Sequence, residues 1–145
     1  MYKFGFETEI GEDLALIPLG LRRKLDIAGF KFPLEMWQAL RFEERCRLCA
    51  EEPDATGVEA YAALIHALAE GRPGQLSALP ALPNPRPWVT EEAKARVMER
   101  SRGAGRPLSA EAWGGLGDEA RYVLWRLSEV RRSPEKLLAA LAEFL

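Results

Sequence analysis

The chain has 145 residues, 48% of them apolar and 29% charged, the size and balance of one globular domain, which excludes an intrinsically disordered protein. Its 20 Lys and Arg against 22 Asp and Glu leave a net charge of −2, which argues against nucleic acid as a partner. The longest apolar stretches, such as Tyr61 to Ala69, are interrupted well short of the roughly 20 residues that a membrane span needs. Glu7, Glu9, Glu12 and Asp13 stand where a signal peptide carries its basic and apolar segments, so a cytoplasmic protein with no membrane partner is expected.

In chain order, Tyr2, Phe4 and Phe6 alternate with polar or small positions, the period of an extended segment with one buried face. With no second strand evident, this reads as an arm laid over a helical body or as an edge that pairs with another copy. Pro18, Leu21, Leu25 and Gly29 predict a helix over 18–28. Pro33 to Leu40 reads as a short helix carrying Trp37, and Phe42 to Glu51 as another carrying Cys46 and Cys49, with a bend near Arg41. Thr56 and Glu59 form a capping-box pattern for a helix over 57–70, whose buried stripe is Tyr61, Leu64, Ile65 and Leu68 and whose stop is Gly71. Five prolines between Pro73 and Pro87 then predict a stiff connection ending at Trp88.

Beyond it, Thr90 caps a helix that Gly103 or Gly105 ends, Ser109 caps a short helix containing Trp113, and Asp118 caps a longer one with Tyr122 to Leu127. Ser133 and Pro134 open a terminal amphipathic helix through Leu137, Leu138, Leu141 and Phe144. Shifting the sequence by 76 positions pairs Gly29 with Gly105, Trp37 with Trp113, Leu40 with Leu116, Arg45 with Arg121 and Leu48 with Leu124, and Lys24 falls on Arg100. The expected fold is therefore all-α: a single compact helical domain of about six to eight helices with an extended N-terminal arm. Two pseudo-repeated modules, about 18–52 and 91–130, would be joined by the helix at 57–70 and the Pro-rich connection at 71–89.

Chemistry-bearing patterns are few. Cys46-Arg47-Leu48-Cys49 has the C-x-x-C spacing of metal and thiol-exchange sites, but His66 is the one further soft donor where a zinc site takes four, and the βαβ setting of a thioredoxin-like motif is missing. Small core residues are the better reading of both cysteines. His66, the single histidine, sits at the border of an apolar stripe, and no phosphate-binding loop occurs. The triplet Arg22, Arg23, Lys24 and the arginines at 96, 100, 102 and 106 read as solvated faces. Trp88 either pins the Pro-rich connection or is presented to a partner, and pinning is preferred. No catalytic residue and no cofactor are expected.

The run Ile17-Pro18-Leu19-Gly20-Leu21-Arg22-Arg23-Lys24-Leu25-Asp26, followed by Gly29 and Trp37, resembles the N-terminal signature of the nitrate reductase associated protein family. The opening from Phe4 to Glu7, Cys49, Tyr61 with Leu64 and Ile65, the proline segment ending in Trp88, and Trp113 followed by Arg121 to Ser128 are similar too. The resemblance implies a small, non-catalytic accessory protein associated with assimilatory nitrate reductase, supporting its maturation or activity. Its partner would be the reductase or one of its assembly factors, met through an apolar patch with an arginine rim, for which Arg22, Arg23, Trp88 and residues of the aromatic N-terminal arm are the candidates. Two other readings stay open: a metal- or redox-responsive protein using Cys46, Cys49 and His66, and a self-associating structural protein whose arm pairs between copies.

Overall fold

The computed structural model describes residues 2–53, 57–80, 84, 86–129 and 132–145. Among these residues the chain forms eight α-helices and one two-stranded ribbon, the all-α class expected. Contacts divide it into two compact units, Met1–Pro85 and Arg86–Leu145.

The first unit holds α1 (Leu19–Ala28), β1 (Phe30–Lys31), α2 (Leu34–Ala39), α3 (Phe42–Ala50), α4 (Val58–Ala69) and β2 (Ser77–Ala78). Leu21, Leu25, Phe32, Trp37, Leu48, Tyr61 and Ile65 belong to its core. Each such side chain taken from water contributes on the order of 1.5–3 kcal/mol, so the core rather than helix propensity holds these short helices. Gly29 ends α1 in the left-handed conformation (φ 87°) that an L side chain resists. Gly57, not Thr56, occupies the N-cap position of α4, and Thr56 with its proposed capping box lies outside the described residues. At the expected bend, the Arg41 N–H donates to Glu44 Oε1 (2.8 Å), while Arg72 Nη2 donates to both Glu44 oxygens (3.0 and 2.9 Å).

Two local readings change. The N-terminal arm lies over the helical body but takes turns where the alternation suggests a strand. Phe4 and Phe6 stack on each other (5.6 Å between centroids, 8° between planes), and the Glu7 N–H donates to the Phe4 carbonyl. A strand needs a ladder partner; here Trp37 Nε1 donates to the Leu14 carbonyl (2.7 Å) and Arg45 Nη1 to the Asp13 carbonyl (2.9 Å), so side chains tie the arm down instead. The ribbon is the second change: β1 and β2 pair antiparallel, Phe30 opposite Ala78 and Lys31 opposite Ser77. Two residues per strand are too few to leave a period in the sequence, and the return of the chain after α4 decides the pairing.

The second unit opens with a 3-10 turn (Pro87–Val89) and continues through α5 (Glu91–Gly103), α6 (Ala110–Gly114), α7 (Asp118–Leu127) and α8 (Pro134–Phe144). Thr90 and Ser109 cap as expected, accepting from the N–H groups of Ala93 (3.2 Å) and Ala112 (3.0 Å). Asp118 does not cap α7; Gly117 takes that position, because the Asp118 carboxylate is used by Trp88 Nε1 (2.9 Å) and Arg86 Nη1 (2.8 Å).

The 76-residue repeat is structural. The helices α2, α3 and α4 begin at Leu34, Phe42 and Val58, and α6, α7 and α8 begin at the corresponding positions Ala110, Asp118 and Pro134. Arg45 Nε donates to the Trp37 carbonyl (3.2 Å) and its Nη2 to the Gln38 carbonyl (2.8 Å); Arg121 Nε donates to the Trp113 carbonyl (3.2 Å) and its Nη2 to the Gly114 carbonyl (3.1 Å). Each guanidinium also lies over its tryptophan ring, at 5.9 and 5.5 Å. Gly105 repeats Gly29 with φ 89°. The repeating unit is thus four helices, one more than the modules 18–52 and 91–130, since α4 has its own counterpart in α8.

Candidate functional site

No residue of α1 is fully exposed, because the helix packs against β1, α3 and α4. Arg23 and Lys24, expected on a solvated face, are buried, at 5% and 6% exposure. Removing two cations from water is costly unless each finds an acid and hydrogen bonds. Glu52 supplies the acid: its Oε2 lies 3.1 Å from Arg23 Nη2 and its Oε1 3.1 Å from Lys24 Nζ, while Lys24 also donates to the Cys49 carbonyl at the end of α3. Glu52 itself is half-exposed, so the carboxylate reaches in from the surface. At the other end of α1, buried Glu7 accepts from the Leu19 N–H (2.7 Å) and the Phe4 N–H (2.9 Å). A carboxylate from outside the helix thereby faces the positive end of the α1 dipole, where Pro18 has no side chain to cap with.

Around this cluster the reactive groups are held in their neutral forms. Burial pushes the Cys49 thiol up to about 12, against the pull of Lys24, so near neutral pH it is neither nucleophile nor thiolate ligand. Burial likewise raises Tyr61, whose hydroxyl donates to the Leu48 carbonyl (2.6 Å). Cys46 is half-buried and Cys49 buried, both as free thiols. His66 is exposed on α4, its ring edge-on to Phe30 at 4.8 Å, beside an open groove with Met36, Arg72 and Gln75. Among the described residues no three His, Cys, Asp or Glu side chains gather as a metal ion would require.

The candidates for a partner surface separate. Arg22 is half-buried, whereas Arg23 belongs to the buried cluster just described. Trp88 is 1% exposed, edge-on to Tyr122 at 4.9 Å and beside Trp125 at 5.8 Å, with its indole N–H on Asp118. It pins the chain, as preferred, and offers a partner no surface.

In the second unit the corresponding place is built differently. Arg96, from α5, donates to Ser128 Oγ (3.0 Å) and to the Trp125 carbonyl, and its guanidinium lies 5.3 Å over the Trp125 ring. Ser128 and Trp125 stand at the repeat positions of Glu52 and Cys49. Arg96, Glu99, Arg100, Leu127, Pro134 and Leu137 line an open cleft of about 550 Å³. The first unit carries 9 Lys and Arg against 13 Asp and Glu, the second 11 against 9, so the positive potential gathers on the second. The sequence gives Glu7, Glu52 and Ser128 no role, because their importance rests on chain-distant contacts; Glu7 and Ser128 do lie in segments that carry the family resemblance, and the 76-residue shift is a further signal leading to Ser128.

A family model described as conserved nitrate reductase-associated protein matches residues 3–144. No curated protein and no solved structure matches the chain.

Proposed function

The chain belongs to the nitrate reductase-associated protein family, and from that premise we propose that it is a non-catalytic, cytoplasmic accessory protein that binds nitrate reductase or a factor used in assembling it. The observation that carries this reading is the match over residues 3–144, which spans both units and all eight described helices. The chemistry of the first unit agrees with it. The buried thiol and phenol are neutral, and the buried cations are paired within the fold, so the polar groups serve to position helices.

The test is affinity purification of the tagged full chain from nitrate-grown cells of its own source, with the reductase or an assembly factor expected in stoichiometric amount. Deleting the gene is expected to slow growth on nitrate and leave growth on ammonium unchanged. No association together with unaltered growth on nitrate would sink the reading.

A further inference from the structure

The N-terminal arm shows what a corner of tryptophan and arginine can hold. In the first unit three side chains of that corner donate to three successive carbonyls of the arm: Arg45 Nη1 to Asp13 (2.9 Å), Trp37 Nε1 to Leu14 (2.7 Å) and Gln38 Nε2 to Ala15 (3.2 Å). The docked segment is a turn, since Leu14 has φ 56° and its N–H donates to the Gly11 carbonyl (3.1 Å). Its aliphatic side chain is buried in the core of the unit.

The second unit keeps the corner and lacks the turn. Trp113 and Arg121 repeat the stacking and the two inner hydrogen bonds of Trp37 and Arg45, but Trp113 Nε1 and Arg121 Nη1 have no partner among the described residues. The 76-residue shift puts Val89, Thr90 and Glu91 where Asp13, Leu14 and Ala15 stand. These residues end the 3-10 turn, cap α5 and begin it, and the Thr90 carbonyl already accepts from the Lys94 N–H (3.1 Å). Gly114 replaces Gln38 and has open space around it. Leu40 is 3% exposed, whereas its counterpart Leu116 is only half-buried. A tryptophan as buried as Trp113, at 4% exposure, ordinarily gives its N–H to an acceptor, and here the N–H is not sealed from solvent.

We propose that the corner of Trp113 and Arg121 docks a main-chain turn of a partner protein, built like Asp13 to Ala15. An aliphatic residue of the partner gives its carbonyl to Trp113 Nε1, and the residue before it gives its carbonyl to Arg121 Nη1. A second copy of this chain is a poor source, because Ile10, Leu14 and Ile17 of the arm are buried in the core of their own unit. That the turn comes from another protein rests on the accessory reading above; the binding chemistry of the corner does not.

The test uses the full chain, labelled with nitrogen-15 and titrated with a capped peptide having the sequence of residues 10–17. The indole N–H signal of Trp113, identified by its loss in Trp113→Phe, is expected to move with the Gly114 and Gly115 amides, while the signal of Trp37 stays in place. Trp113→Phe keeps a ring for Arg121 to lie over and removes the N–H, so binding read from the glycine amides is expected to weaken by about fivefold. The peptide carrying Leu14→Asp is expected not to bind, a control that holds even if Trp113→Phe fails to fold. The proposal is overturned if the Trp113 signal does not move, if Trp113→Phe binds as well as wild type, or if both peptides bind equally. A dimer in light scattering, with the Trp113 signal shifted by protein concentration alone, would give the corner to a second copy and overturn it too. Capture of the reductase separates the two readings. If it is captured and the peptide does not bind, the corner fails and the accessory role stands; if the peptide binds and neither the reductase nor an assembly factor is captured, the accessory role fails and the chemistry of the corner stands.

Discussion

In the first unit the carbonyl of Cys49 takes Lys24, and nearby Glu52 holds two buried cations; in the second the carbonyl of Trp125 takes Arg96, and Ser128 holds that same guanidinium. Both arrangements fasten the end of one helix to another through a long basic side chain, at matching places in a four-helix plan. They differ in what balances the charge. In the first unit one carboxylate meets both an ammonium and a guanidinium, whereas in the second the more weakly hydrated guanidinium of Arg96 lies against an aromatic ring, bonded to neutral acceptors and attracted by the charge of Glu129. Trp125, where the first unit has Cys49, makes the second solution possible. What both units keep is the corner of tryptophan and arginine, Trp37 with Arg45 and Trp113 with Arg121, and this corner defines the repeat more closely than any charge does.

The sharpest way to break this comparison is to remove the corner tryptophans. Trp37→Ala and Trp113→Ala are each expected to cost about 3–5 kcal/mol in urea unfolding. If one were nearly neutral, the two corners would not be equivalent. Next comes the balance of charge: Glu52→Gln leaves Arg23 and Lys24 buried without their shared acid and is expected to cost about 3 kcal/mol. Ser128→Ala removes one neutral partner of Arg96, and about 1–2 kcal/mol is expected from thermal melts. Equal costs would mean that Arg96 depends on its neutral partner as much as the buried pair depends on Glu52.

Smaller again, Arg45→Lys replaces a fork that spans three carbonyls, and Arg121→Lys one that spans two, with a single ammonium, for about 1 kcal/mol apiece. The smallest effect near neutral pH comes from Cys49. Its folded pKa, about 12, lies above the ordinary value of 9.0, so the unfolded chain gives up this proton first. The stability from the buried thiol is therefore intact below about pH 9 and is lost as pH rises toward about 12. Iodoacetamide at pH 8 is expected to label half-buried Cys46 well before Cys49, as peptide mass spectrometry would show; comparable rates would mean that Cys49 is not held inside.

Much of the fold could be read before any coordinates. Helix positions came from capping residues and apolar stripes, and these signals lie within a few residues of what they specify. The terminal helix starts at Pro134 after Ser133, as its N-cap pattern indicates. The error at Asp118 has the same local origin, because the residue suits an N-cap and nothing nearby shows that Trp88 and Arg86 claim its carboxylate. The basic triplet was misread for a related reason. A run of three cations resembles a solvated face unless the acid that neutralises it is known, and Glu52 lies 29 positions from Arg23.

The sequence by itself determined the all-helical class, the family, the helix boundaries set by Thr90, Ser109, Pro134, Gly29 and Gly105, and the 76-residue repeat. Each is written in spacing, capping chemistry or residue order along the chain. Only the tertiary structure decided that Arg23, Lys24, Glu7 and Trp88 lie inside, that a short ribbon joins β1 to β2, and that Ser128 and the Trp125 carbonyl hold Arg96. The physical reason is that the place of a charge depends on which distant group reaches it. That is settled by packing, and one side chain carries no mark of it.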